Sequence, residues 1–310
     1  MKTPKVLFAL LAVILLSACD NNERIEQPFE NHPITVTADI NQHTKAGYEN
    51  GVLMPEKFII DINQGSDSKY NYSLVEMTKS AEGNTYSAPA GTELLWASNS
   101  YTATVKAMTV PFGLTTVAAQ SVMTVKVSVD QDNEDNVAAS DLLGASSNHS
   151  GDVTISSGNI NIKLQHLLSK LDVKYEFSDA FEGNNKTINS LTLKNICTTG
   201  GFSYANMALD ATNLKYGDVK MFHNTSESKA EAIFFPYNPT VNPTLLISAT
   251  IDGKNYDFSC PVVPKDAEGF ITGKRYTMTV TIVGTSVSGT NATIAKGWDS
   301  NTEAETFVTE

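Results

Sequence analysis

Arginine is nearly absent from this chain of 310 residues, which contains only Arg24 and Arg275. Acidic residues outnumber basic ones by 34 to 22, so the formal net charge is −12 at pH 7. Nucleic acids and clustered phosphates are bound mainly by surfaces rich in Lys and Arg. The charge balance therefore argues against nucleic acid as a partner.

Long apolar segments are also missing after the first eighteen residues, so no later segment is predicted to cross a membrane as a helix. At the start, Lys2 and Lys5 flank an apolar run that ends at Leu16, long enough for a signal peptide and too short to span a bilayer. Small residues then precede Cys19. This arrangement resembles the lipobox of bacterial lipoproteins. It predicts a lipoprotein signal peptide over residues 1–18, a lipid anchor on Cys19 and an acidic linker over residues 19–32.

Cysteine is scarce, and only Cys197 and Cys260 remain besides the one in the lipobox. An oxidising envelope would permit these two residues to form a disulfide. Two buried free thiols that pack as small apolar side chains are equally compatible with the sequence. Both alternatives stay open at this point.

Recognisable catalytic and metal-binding motifs are absent as well. The five histidines show no HExxH or paired-ligand spacing, and no GxSxG motif occurs. The segment from Gly269 to Arg275 has too few residues between its glycines for a phosphate-binding loop, so it predicts a turn. The acidic run from Asp130 to Asp135 lacks the glycine of an EF-hand and predicts a solvated loop. We therefore predict no metal, no cofactor and no enzymatic activity.

Alternation of apolar and polar residues is what the chain has in abundance. Apolar residues occupy every second position from Met123 to Val129 and from Tyr276 to Ile282, which is typical of half-buried strands in antiparallel sheets. Clusters of Gly, Asn, Asp and Pro separate the runs. Similar runs are Ile34 to Ile40, Tyr101 to Met108, Ala230 to Phe235 and Leu245 to Ile251. Many short strands with polar turns indicate an all-β protein built of sandwiches.

The middle of the chain has two periodicities. Leu164, Leu167, Leu168 and Leu171 have helical spacing, but strand spacing extends from Ile160 to Phe177. We predict two strands joined by a bulge or short turn, which carry the chain into a second domain. His166 lies within this segment and is predicted to be hydrogen-bonded at the domain boundary rather than to bind a ligand.

Several short motifs follow the lipobox in a fixed order. They are Ile34 to Ile40, Thr44-Lys45-Ala46-Gly47, Leu94-Leu95-Trp96, Tyr101 to Ala103, Asp141 to Ala145, His166 to Val173, Gly273-Lys274-Arg275-Tyr276 and Thr293 to Trp298. Each motif is short, but the ordered set covers nearly the whole chain. In this respect the chain resembles the fimbrillin family of Bacteroidetes surface fimbriae.

The resemblance implies two consecutive antiparallel β-sandwich domains of transthyretin-like topology, over residues 33–165 and 166–310. It implies an outer-membrane lipoprotein at the cell surface and in the fimbrium, with other fimbrial subunits and host or bacterial surface ligands as partners. In that family a trypsin-like protease cuts after a basic residue in the loop behind the first strand. A strand from the next subunit then fills the groove that the released strand leaves.

Mapped onto this chain, the displaced strand comprises Ile34, Val36, Ala38 and Ile40 on its core-facing side, and the cut falls between Lys45 and Ala46. The commoner family pattern has arginine before the cut, so an uncut lysine in a hairpin loop is the alternative. The chain is then either a stalk subunit that polymerises or a tethered or tip component. The donor strand, which the family takes from the C-terminal part, is not identified.

A second class of function is a lipid-anchored glycan-binding surface lipoprotein that does not polymerise. It requires an exposed aromatic platform, for which Trp96, Tyr101 and Trp298 are candidates. Packing of both tryptophans in a core is the alternative interpretation.

Overall fold

The computed structural model describes residues 31–40, 53–81, 83–97, 103–118, 122–149, 158–179, 181, 186–238, 246–258, 269–283, 286–289 and 293–295. In chain order the strands are β1 (Thr35–Ile40), β2 (Lys57–Asn63), β3 (Tyr72–Lys79), β4 (Thr85–Ser87), β5 (Ala103–Met108), β6 (Val122–Lys126), β7 (Leu143–His149), β8 (Asn159–His166), β9 (Ser169–Phe177), β10 (Ile188–Ser203), β11 (Ala208–Lys220), β12 (Phe222–Asn224), β13 (Lys229–Phe234), β14 (Leu246–Ile251), β15 (Lys254–Phe258), β16 (Arg275–Val283), β17 (Ser286–Gly289) and β18 (Thr293–Ala295). In these ranges the only α-helix is α1 (Glu134–Ser140), and a short 3-10 helix spans Ser68–Tyr70. The prediction of an all-β protein is confirmed, and every predicted run overlaps a strand. The run from Met123 to Val129 continues beyond the end of β6 at Lys126.

The first sheet has seven strands and closes on itself to form a barrel. Its strand order is β1-β4-β3-β2-β5-β7-β8, and β8 returns to β1. Alternate side chains from these strands, such as Phe58 and Ile162, point inward and form one hydrophobic cluster, which also includes Trp96 from the segment before β5. A closed sheet leaves no unpaired strand edge, so each strand of this barrel has a neighbour on both sides.

Two further sheets share a second hydrophobic cluster. One has the order β11-β10-β14-β15, with β6 also paired to β10, and the other has the order β12-β13-β9-β16-β17, with β18 also paired to β16. Buried side chains of both sheets, such as Val125, Leu193, Val173 and Met278, belong to the same cluster. Because β6 precedes β7 in the chain but pairs with β10, the chain crosses between the two clusters more than once. The boundaries 33–165 and 166–310 stay a prediction.

Two strand pairs are parallel, although the alternation had indicated antiparallel sheets. β1 lies parallel to β8, and β9 lies parallel to β16. All other strand pairs in the described residues are antiparallel. A period of two reports which face of a strand is buried and carries no information about the direction of its neighbour.

The connection between β8 and β9 confirms the prediction of two strands with a short turn. Leu167 and Leu168 link them, and Leu168 is buried. The turn before β16 packs closely on this connection, since the Gly273 amide donates to the Leu168 carbonyl over 3.0 Å. Gly273 has a φ of +66°, and a Cβ there would lie 2.8 Å from the His166 carbonyl oxygen. Only glycine fits this position without strain.

The acidic run differs in part from the predicted loop. Asn133 caps α1, because its side chain accepts a hydrogen bond from the Asn136 amide, and Glu134 begins the helix. Asp130 and Asp132 precede the cap and form ion pairs with Lys220. The cap residue and two acids in the first helical turn explain why a short helix forms here.

Candidate functional site: the first strand and its groove

Strand β1 closes the barrel by bridging two strands that would otherwise be edges. Residues 35–40 pair in register with residues 159–164 of β8. On its other side, Val36 and Thr37 pair with Tyr86 and Thr85 of β4. Removal of β1 would therefore expose unpaired backbone groups on two strands at once.

The inward face of β1 forms part of the barrel core. Ile34 is 9 % exposed, and Val36, Ala38 and Ile40 are at most 2 % exposed. The register places Val36 beside Ile160, Ala38 beside Ile162 and Ile40 beside Leu164. All four side chains are buried, as predicted, and Val36, Ala38 and Ile40 each pair with an apolar residue of β8. The displacement of this strand stays a prediction.

The upstream end of β1 is held by a second segment, residues 94–97. The Asn31 amide donates to the Trp96 carbonyl over 2.9 Å, the Trp96 amide donates to the His32 carbonyl over 2.9 Å, and the Ile34 amide donates to the Leu94 carbonyl over 2.8 Å. Pro33 and Leu95 form an antiparallel bridge between them. The chain is thus fixed in place before β1 begins.

Polar side chains surround this upstream end. Gln64 is buried, its amide nitrogen donates to the Tyr70 and Leu95 carbonyls over 2.9 Å each, and its amide oxygen accepts from the Ala97 amide over 2.9 Å. The side-chain oxygen of Asn31 accepts hydrogen bonds of 3.1 Å from Lys69 and from the Tyr70 hydroxyl. We call Asn31, Gln64, Lys69, Tyr70 and residues 94–97 the clasp. The sequence pattern does not reveal these polar residues, because they lie in loops and a short 3-10 helix with no local periodicity.

The downstream end of β1 contacts the turn before β4. The Ala38 amide donates to the Asn84 carbonyl over 3.0 Å, and the Asn84 side chain donates to the Asp39 carboxylate over 3.1 Å. Residues Lys45 and Ala46, between which cleavage is predicted, lie outside the described residues. So does Cys19, the predicted site of lipidation.

Cys197 is buried in the second cluster, and its predicted disulfide partner, Cys260, lies outside the described residues. Burial raises the pKa of the Cys197 thiol to about 11. We expect a reduced Cys197 to react with iodoacetamide at pH 8 roughly a hundredfold more slowly in the folded than in the denatured protein, because far less of it is thiolate.

Alkylation followed by mass spectrometry checks this prediction. If both Cys197 and Cys260 are alkylated in denatured protein without a reductant, the two residues are free thiols and do not form a disulfide. Denatured protein that resists alkylation until a reductant is added contains the disulfide. Equal alkylation rates of reduced Cys197 in the folded and the denatured protein would contradict the prediction.

His166 lies at the end of β8 in contact with Asp141. Its Nδ1 is 3.0 Å from Oδ1 and 2.9 Å from Oδ2 of Asp141, and both side chains are fully buried. Asp141 directly follows α1, which packs on β13 of the second cluster, whereas β8 belongs to the barrel. The prediction that His166 is hydrogen-bonded is confirmed, and its position at a domain boundary stays a prediction.

A buried charge network, which the sequence analysis did not predict, crosses three strands of the second cluster. Lys170 on β9 is fully buried, and its ammonium nitrogen lies 2.6 Å from Glu231 on β13 and 3.8 Å from Asp172. Arg275 on β16 donates from Nε to the Asp172 carboxylate over 2.6 Å. Each charge thus has an opposite charge beside it.

The part of the chain that the structure describes has few features typical of a binding site for a metal, a membrane or a glycan. It contains no group of three or more His, Cys, Asp or Glu residues that could hold a metal ion. None of the helices there is long and apolar enough to span a membrane. Trp96 is fully buried, as the core-packing interpretation predicts, so it cannot contribute to an exposed aromatic platform.

The described residues form an all-β fold in which β1 completes a closed barrel. A family model described as fimbrillin-like matches residues 30–298. The chain belongs to the fimbrillin-like family.

Two solved structures are similar over most of the chain. A candidate cell adhesion protein from Bacteroides uniformis is 19 % identical with a TM-score of 0.61, over 87 % of this chain and 99 % of that one. Another from Bacteroides ovatus is 15 % identical with a TM-score of 0.63, over 88 % and 99 % of the two chains. At these identities the similarity shows the fold. The comparison with curated proteins finds no match.

Proposed function

We propose that this chain is a lipid-anchored surface subunit of a fimbrium with a structural, non-enzymatic role. In this proposal a cut between Lys45 and Ala46 allows β1 to leave, and a strand of another subunit takes its place. The observation that carries this proposal is the position of β1 between β4 and β8, where its removal would open the barrel. Membership of the fimbrillin-like family supports the assignment to fimbriae.

The groove that β1 leaves is chemically suited to receive a strand. Ile160, Ile162 and Leu164 of β8 would present an apolar row. The backbone of β8 would at the same time present unpaired donors and acceptors. Strand addition uses both features, since main-chain hydrogen bonds provide affinity and alternate side chains provide specificity.

The lipid anchor and the cut are linked by their order in the chain. Cys19 precedes β1 and Lys45 follows it. A cut at Lys45 would therefore break the covalent connection of both the lipid and β1 to the rest of the protein. Lysine before the cut favours a lysine-specific or general trypsin-like protease over an arginine-specific one.

We expect Lys45→Ala to leave folding intact and to abolish assembly, because the first strand stays covalently attached. Electron microscopy of protease-treated protein measures filaments, and mass spectrometry identifies the N-terminal residue of the mature chain. Acylated Cys19 indicates an uncut, tethered protein, whereas free Ala46 indicates the processed subunit.

A matched control is Lys215→Ala, which removes an exposed lysine from β11, outside the barrel and away from the groove. This variant should be cut and should form filaments like the parent protein. Filaments formed by Lys45→Ala with an intact N-terminal region would contradict the proposed role of this cut.

A further inference from the structure

We propose that the clasp retains β1 after the loop behind it has been cut, so that cleavage and strand release are separate steps. The inference rests on the proposed function, because it concerns how the strand leaves its groove. It follows from where the contacts lie. The predicted cut is on the downstream side of β1, whereas the clasp holds the upstream side.

The first element of the clasp is backbone pairing. Residues 31–34 and residues 94–97 exchange three hydrogen bonds of 2.8 to 2.9 Å. These bonds extend the contacts of the N-terminal fragment beyond the ladder with β8. A cut at Lys45 breaks none of them.

The second element is Gln64, which fixes residues 94–97 in place. Its amide group bonds to Tyr70, Leu95 and Ala97, and the residue is only 2 % exposed. A buried amide with its partners satisfied resists opening, since any movement of residues 94–97 leaves polar groups unpaired. Gln64 thus stabilises the surface against which residues 31–34 are held.

The third element is the hydrogen-bonded side chain of Asn31. It accepts from both Lys69 and Tyr70, and the Lys69 ammonium lies 4.7 Å from the centre of the Tyr70 ring. These contacts attach the fragment itself to the 3-10 helix between β2 and β3. Asn31 is exposed, so this attachment can open without unfolding the barrel.

The position of the clasp gives the replacement of β1 by an incoming strand a direction. An incoming strand of a second subunit begins at the Ile40 end, which is nearer to the cut, and displaces β1 towards Ile34. The clasp opens last. Its strength therefore controls the rate at which a cut subunit becomes able to accept its neighbour.

The test uses a Cys19→Ser chain with the recognition sequence of a site-specific protease inserted between Lys45 and Ala46. The inserted site makes the cut independent of any natural protease, so the test remains informative if the natural cut does not occur. After cleavage, size-exclusion chromatography and native mass spectrometry measure how long the N-terminal fragment stays bound. We expect the fragment to remain with the body of the parent protein.

Gln64→Glu places a carboxylate against the Tyr70 and Leu95 carbonyls and should release the cut fragment at least about tenfold faster. Asn31→Gly should also accelerate release, and it carries the test if Gln64→Glu does not fold. Glycine removes the side-chain contacts and adopts the φ of +65° at this position without strain. The control is Thr104→Val, which removes an exposed hydrogen bond between β5 and β7 and should leave the rate unchanged. Immediate loss of the fragment from the parent, or equal release rates for Asn31→Gly and Thr104→Val, would overturn the proposal.

Discussion

Lys170→Met is expected to destabilise the protein by about 3–5 kcal/mol, because it leaves a buried carboxylate without its cation. Glu231 lies 2.6 Å from the lysine ammonium and is almost completely buried. Methionine fills a similar volume, so the loss reflects charge rather than a cavity. Thermal and urea unfolding of the parent and variant proteins measure the difference.

The chain provides a matched control for this prediction. Lys57 forms an equally short ion pair of 2.7 Å with Glu76, but the two side chains are 54 % and 46 % exposed. Lys57→Met should cost no more than about 1 kcal/mol. A double variant, Lys170→Met with Glu231→Leu, should recover much of the lost stability. Equal effects of Lys170→Met and Lys57→Met would show that burial does not amplify the interaction.

Val36→Asp is expected to open the barrel at β1. Val36 lies between Ile160 and Tyr86 and is 1 % exposed. A carboxylate at this position is buried without a cation, which costs several kcal/mol. Expulsion of β1 relieves this cost. Hydrogen exchange should therefore accelerate in β1 and β8 well before the second cluster unfolds.

Thr35→Asp is the control, because Thr35 belongs to the same strand but has its side chain exposed. This variant should retain the slow exchange of the parent protein in β1 and β8. Slow exchange in Val36→Asp as well would mean that the barrel accommodates the charge, and that β1 is held more firmly than its contacts indicate.

Sequence patterns predicted the strands well, and the reason is burial. The row from Ile34 to Ile40 alternates because one face of β1 lies in the barrel core. The same pattern could not predict the parallel pairing with β8. It also could not predict that β6 joins β10, since alternation does not encode which sheet a strand enters.

The burial of charged residues on a strand was also not predictable from the local sequence. In β9, Lys170 and Asp172 alternate with Leu171 and Val173, which ordinarily indicates a solvent-facing side. Both are buried because Glu231 and Arg275, on the two neighbouring strands, supply opposite charges. Such partners come from distant parts of the chain and have no signature in the local sequence.

The closed barrel also has a consequence for synthesis. β1 pairs with residues 159–164, which follow it by more than a hundred positions. A chain made from its N-terminus therefore carries β1 without its longer partner until β8 has emerged, because β4 pairs with only two of its residues. Closure over this sequence distance is slow relative to local pairing. During that interval, the free β1 of one nascent copy can pair with β8 of another when the local concentration is high. Slower closure of the barrel therefore increases the risk of misfolding between copies.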